Sequence, residues 1–194
     1  MGAQLKKALA LALVFSAGVA GAYEPKKSKT RVSSNGQFGI RLVELAEKSC
    51  RVEVVREQEV TWTLDQCVGG AGDLYFVSDD GKRFWVLLEL PPLPPKPAPG
   101  EEESTSSLRK RKAKRPAVLD VTVATEYDDK GNVLQQKRLG DFLQERDAES
   151  IRELGKHFKW LAGLLNVPGK PPRLNESSEI ELETVAGKTH KLKF

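Results

Sequence analysis

Arg109, Lys110, Arg111, Lys112, Lys114 and Arg115 put six cations into seven residues. A run of that density neutralises a polyanion by releasing its counterions. The partner it suits is an anionic polymer or surface: lipopolysaccharide, an anionic glycan, a phospholipid headgroup or extracellular DNA. No aromatic residue is interleaved with the cations, so stacking on single-stranded bases is not indicated, and no sequence-specific nucleic-acid binding is expected. The bland reading is solvated charge in a connector, partly neutralised by Glu101, Glu102 and Glu103. Exposed paired basic residues also invite proteolytic nicking, which Pro116 would hinder directly after Arg115.

The remaining reactive residues are sparse. Asp79-Asp80 and Asp128-Asp129 are paired carboxylates, but adjacent residues on an extended backbone point opposite ways. Neither pair fits a calcium loop, and turn chemistry accounts for both. His157 and His190 are the only histidines and fall on different elements. A hydrolase would need one of them to meet a nucleophile and an acid in space, and the nucleophile-elbow, zinc-protease, P-loop and dinucleotide fingerprints do not occur. Two histidines and two cysteines leave few ligands for a zinc site. No catalytic residue, metal or cofactor is expected. Asn175-Glu176-Ser177 is a glycosylation sequon, relevant only in a eukaryotic secretory pathway. Trp62, Trp85 and Trp160 fill either a core or an exposed carbohydrate- or protein-binding face.

Cys50 and Cys67 take their meaning from the first segment. Residues 1–22 carry Lys6 and Lys7, then an apolar run from Ala8 to about Val19, then Ala20-Gly21-Ala22. This is the layout of a signal peptide cleaved after Ala22, with Ala20 and Ala22 as the small residues of the site. The run is shorter than the roughly 20 residues of a spanning helix. The mature chain would begin at Tyr23, exported to the periplasm or beyond with no transmembrane span. Part of the net charge of +4 leaves with the segment. The destination is oxidising, so the two cysteines read as a disulfide. Between them Val52 and Val54 alternate along one strand and Val60, Trp62 and Leu64 along the next. Pairing 54 with 62 and 52 with 64 leaves Cys50 and Cys67 one residue out of register. Either a bulge lies near Gln66 or Cys67 curls back beyond the strand end.

These residues need elements to hold them. A chain of 194 residues with 39% hydrophobic residues suits one domain. Residues 91–116 hold seven prolines, the Glu triplet, a Ser/Thr patch and the basic run, without apolar periodicity. They read as a disordered linker between an N-terminal part, 23–90, and a C-terminal part, 117–194. Parts this small favour one shared core. The pattern is period two: Phe38, Ile40 and Leu42; the strands around Asp79-Asp80-Gly81; Leu119, Val121 and Val123; Val133-Leu134 after the 128–132 turn; Ile180 and Leu182; His190, Leu192 and Phe194. The strand over 83–90 is apolar on both faces and should be central. Ser150 and Glu153 fit a capping box, predicting a short helix over 148–155, followed by a strand over 157–161. The fold class is mainly β: antiparallel hairpins in a small sandwich or partial propeller-like sheet, with one short helix.

Ser33-Ser34-Asn35-Gly36-Gln37-Phe38 and Ser78-Asp79-Asp80-Gly81-Lys82-Arg83-Phe84 place Asn or Asp and Gly ahead of a strand. Tyr127-Asp128-Asp129-Lys130-Gly131-Asn132-Val133 does the same. The first two resemble the S-x-[DN]-G-[KR] turns of β-propeller blade repeats in secreted bacterial proteins of unassigned function. The resemblance implies hairpins of that kind and no shared catalytic residue. The chain outside its first segment and linker falls short of the roughly 160–180 residues that four blades need. A pair of blades or a small sandwich is expected. Together these features point to an exported, non-enzymatic binding or structural protein whose partner is a protein or envelope component.

Overall fold

The computed structural model of the chain describes residues 25–46, 49–95 and 116–194. The first segment and the basic run 109–115 therefore lie outside the described residues. Three antiparallel sheets form the body. The first holds β1 (Lys26–Lys27), β2 (Arg31–Val32), β3 (Phe38–Ala46), β4 (Ser49–Arg56) and β5 (Glu59–Leu64), with β1 and β2 both on β3. The second is a four-stranded meander of β6 (Leu74–Val77), β7 (Arg83–Leu87), β8 (Thr122–Asp128) and β9 (Val133–Arg138). A ribbon of β10 (Arg152–Leu154) and β11 (His157–Lys159) leads to the third, β12 (Arg173–Leu174), β13 (Ile180–Glu183) and β14 (Thr189–Leu192).

Period two on β6 and β7 explains why the sheets stack. Tyr75, Val77, Phe84 and Val86 point one way and pack with Ile40, Leu42, Val52 and Val54 of the first sheet. Leu74, Phe76, Trp85 and Leu87 point the other way and pack with Ile180, Leu182 and Leu192 of the third. The second sheet is thus the middle layer, and β7, apolar on both faces, runs between β6 and β8. The second cluster also takes in Leu119, Leu139, Phe142, Phe158 and Trp160, so residues from both sides of the 96–115 segment share it. Burying an aromatic or aliphatic side chain of this size contributes about 1.5–3 kcal/mol. Trp85 and Trp160 are fully buried. Their indole N–H groups donate to the carbonyls of Lys193 (3.1 Å) and Leu88 (2.7 Å), the partners a buried indole requires. The outermost faces carry cross-strand charge pairs: Arg41 with Glu53 across β3 and β4 (2.6 Å), and Arg173 with Glu181 across β12 and β13 (2.9 Å).

Three local expectations are corrected. Residues 148–155 are not a helix: a 3-10 segment covers Glu145–Ser150, and β10 follows directly. The helical register would have buried Leu154, which is 47% exposed, and Gly155 takes φ +61° in the β10–β11 turn. Burial instead alternates through Phe158, Lys159 and Trp160, as the strand reading of 157–161 requires. Leu119 belongs to a 3-10 turn, Ala117–Asp120, rather than to a strand. Pro91 to Leu93, assigned to the linker, are tied to the ribbon: Phe158 N donates to the Pro91 carbonyl (3.1 Å) and Leu93 N to that of Lys156 (2.8 Å). Proline suits such an edge because its carbonyl still accepts.

The β4–β5 hairpin pairs Val52 with Leu64 and Val54 with Trp62. Its bulge falls between Val54 and Val55, not near Gln66. Beyond the strand end Gln66 N donates to the Leu64 carbonyl (2.9 Å), and this curl delivers Cys67 to Cys50, with Cα atoms 4.8 Å apart in the disulfide. The hairpin turns on Glu57 and Gln58, at φ +52° and +74°. Two left-handed residues in a two-residue loop make a type I′ turn, where Asn-Gly is favoured. The double substitution Glu57→Asn with Gln58→Gly should therefore raise stability by about 1 kcal/mol. A higher urea midpoint at unchanged slope checks this.

Candidate functional site

Five hairpin turns share one design. In each, the amide of the fourth residue donates to the carbonyl of the first: Gly36 to Ser33, Gly81 to Ser78, Gly131 to Asp128, Ser178 to Asn175 and Gly187 to Thr184. The fourth residue is left-handed every time, at φ +73°, +70°, +82°, +58° and +72°. The first two turns show why Ser and Asn/Asp recur two residues apart. Ser33 Oγ donates to Asn35 Oδ1 (2.7 Å), which also accepts from Gln37 N, while Phe38 N donates to Ser33 Oγ. Ser78 and Asp80 repeat each bond, with Lys82 N and Arg83 N as donors. At the third and fourth turns one side chain does both jobs: Asp128 Oδ1 accepts from Lys130 N and Asn132 N, and Asn175 Oδ1 from Ser177 N and Glu179 N.

Three of these turns, one from each sheet, meet at Asp79. Asp80 folds back onto its own turn, whereas Asp79 points out of it. Its carboxylate lies 2.9 Å from Ser34 Oγ and accepts from Asn35 N (2.9 Å) and from the Ser178 hydroxyl. Ser34 Oγ and Ser178 Oγ are 2.6 Å apart. Asn35 Nδ2 completes the junction by donating to the Asp79 carbonyl (3.0 Å). Partial burial raises the Asp79 pKa, but the hydrogen bonds from Ser178, Asn35 and Ser34 outweigh it and hold the carboxyl below the usual range. The first sheet also grips this turn: Trp62 Nε1 donates to the Gly81 carbonyl (2.7 Å), and the Phe38 ring lies where a Cβ on Gly81 would sit. Beside the junction runs an open groove of about 520 Å³ lined by Ser78, Asp80, Arg83, Ser177 and Lys193 among others. The bonds at Asp79 hold the three turns together.

The other predicted residues are placed elsewhere. His157 is exposed on β11. His190 is half-buried on β14 with its ring edge against Phe142 (5.3 Å), and its Nε2 has no hydrogen-bond partner. Burial and the nearby Lys188 lower its pKa, against a backbone bond with Phe142. Asp128 holds its own turn, accepting from Lys130 N and from the backbone and side chain of Asn132. Trp85 and Trp160 are core, and Trp62 is half-buried over Gly81, so the three form no exposed aromatic face. The sequon asparagine is spent inside its turn, where Nδ2 also faces Glu179. Among the described residues no group of His, Cys, Asp and Glu is arranged to hold a metal, and no helix is long and apolar enough to cross a membrane.

Sequence reading missed Ser34, Ser178 and the outward role of Asp79. The available signal was Asn175-Glu176-Ser177-Ser178, which matches the other turns once a serine is allowed in the glycine position. Fold and junction define a disulfide-bonded, all-antiparallel β protein whose three stacked sheets are pinned at one end by their hairpin turns. No family model, no curated protein and no solved structure matches the chain.

Proposed function

We propose that this chain is an exported, non-enzymatic β-rich protein with a binding or structural role in the periplasm, cell envelope or extracellular space. The observation that carries the reading is the Cys50–Cys67 bridge, a bond that persists in oxidising compartments. Lys6 and Lys7, the apolar run and Ala20-Gly21-Ala22 support the same destination. The shared turn design supports kinship with blade-repeat hairpins, arranged here as a stack of three sheets. The test expresses the full chain in a secretion-competent bacterium and examines the product by mass spectrometry after thiol alkylation. A periplasmic or secreted chain beginning at Tyr23 with both cysteines protected is the expected outcome. A cytosolic chain with an intact amino terminus and two alkylated thiols would overturn it.

The density of positive charge at Arg109–Arg115 favours a second reading, attachment to an anionic surface. Replacing the six cations with Gln should abolish salt-sensitive retention on heparin and on lipopolysaccharide. Retention that ignores both salt and the substitutions would remove the electrostatic reading.

A further inference from the structure

Asn35 is the only asparagine in the sequence followed by glycine. That pair is chemically labile because the glycine amide is unhindered. In the reaction the Gly36 nitrogen attacks the side-chain carbonyl carbon of Asn35 and gives up its proton. The side-chain nitrogen leaves as ammonia and a cyclic imide remains. Water then opens the ring at either carbonyl, giving an aspartyl or isoaspartyl residue at position 35. Water is the only other reactant, and no oxidant or reductant takes part.

The junction opposes each movement this needs. Asn35 Oδ1 accepts from Ser33 Oγ (2.7 Å) and Gln37 N (3.0 Å), and Nδ2 donates to the Asp79 carbonyl (3.0 Å). Asn35 N is held by Asp79 Oδ1 (2.9 Å). The attacking group, Gly36 N, is itself engaged with the Ser33 carbonyl (2.9 Å). Leaving group, electrophile and nucleophile are therefore all anchored, and ring closure requires the turn to come undone. We propose that Asn35 is a deamidation site that the native junction keeps shut, so that conversion there records opening of the junction and then prevents its reclosure. The product has no N–H donor for the Asp79 carbonyl and sets a second negative charge beside the Asp79 carboxylate. The isoaspartyl form adds a backbone carbon to a turn closed from Ser33 to Phe38.

The test incubates the full chain in mildly alkaline buffer and follows the peptide containing Asn35 by mass spectrometry. Parallel samples are folded wild type, the same chain reduced and unfolded in denaturant, and two folded variants, Ser33→Ala and Asp79→Asn. Folded wild type should convert at least about tenfold more slowly than the unfolded chain, with the variants between. Circular dichroism establishes that each variant is folded; if neither is, the two wild-type samples alone decide. Equal rates in folded and unfolded wild type, or folded variants as slow as wild type, would overturn the proposal.

Discussion

Removal of the disulfide, as Cys50→Ser with Cys67→Ser, should lower stability by about 3 kcal/mol, the chain-entropy value for a loop of this size. The sequence separation is 17 residues, so the bridge restricts the unfolded chain considerably. In the folded chain it holds the start of β4 to the segment ahead of β6. That segment is also held by hydrogen bonds: Gly70 N and Glu89 N donate to Asp73 (2.8 and 2.9 Å), Tyr75 donates to the Gly70 carbonyl (3.1 Å), and Ala71 N donates to Glu44 (3.1 Å). Burial pushes the Asp73 carboxyl up against the pull of its two backbone donors. Gly69 leaves no room for a side chain between Tyr75 and Asp73. Once the bridge is gone, the Cys67–Gly72 segment should loosen first. Hydrogen exchange should then be faster at Gly70 and Ala71 than in β7. The thermal midpoint of wild type should fall in reductant, while that of the double variant should not respond. A double variant within about 0.5 kcal/mol of wild type would mean that the loop is held by its hydrogen bonds and packing without the bridge.

The second large effect is expected at Asp79. Substitution by Ala leaves the Ser34 and Ser178 hydroxyls and the Asn35 amide without their common acceptor. Hydrogen bonds to a charged group contribute about 1.5–3 kcal/mol each when buried. The junction is half-exposed and water replaces part of that, so about 2 kcal/mol should be lost in total. The pH dependence separates charge from shape. A carboxyl held below its usual range stabilises the fold above the unfolded pKa, and that contribution disappears as pH falls through the folded value. The gap between wild type and Asp79→Ala should be full at neutral pH and narrow below about pH 4. Asp79→Asn retains the shape and one acceptor oxygen, and should fall between. Urea titrations of the three proteins at neutral and acid pH check both points. A gap independent of pH would assign the loss to packing.

Much of the architecture was readable because it is local. Pairing Val52 with Leu64 and Val54 with Trp62 makes their apolar faces coincide, and that register is observed. The two apolar faces of β7 required a middle position, and the glycines at 36, 81, 131 and 187 marked turns through the backbone they permit. The helix over 148–155 failed because Ile151, Leu154 and Phe158 fit a helical face by spacing while Gly155 and the tertiary burial of Phe158 and Trp160 favour strands. The junction was illegible for a different reason. Ser34 and Ser178 lie 45 and 99 residues from Asp79, and nothing local in any of the three turns shows that they converge. Each looks complete, since Ser33 and Asn35, Ser78 and Asp80, and Asn175 already satisfy their own backbones. Ser34, Asp79 and Ser178 are left over to make the long-range bonds, joined by the amide and Nδ2 of Asn35.

The charge pairs on the two outermost sheets bear on whether further layers could be added over them. A pile of sheets ending on bare apolar surface would recruit further layers, from its own kind or another. Arg41 with Glu53 at one end and Arg173 with Glu181 at the other place charge on both terminal layers. At these two places a further apolar layer would have to strip water from paired charges, which opposes continuing the pile there.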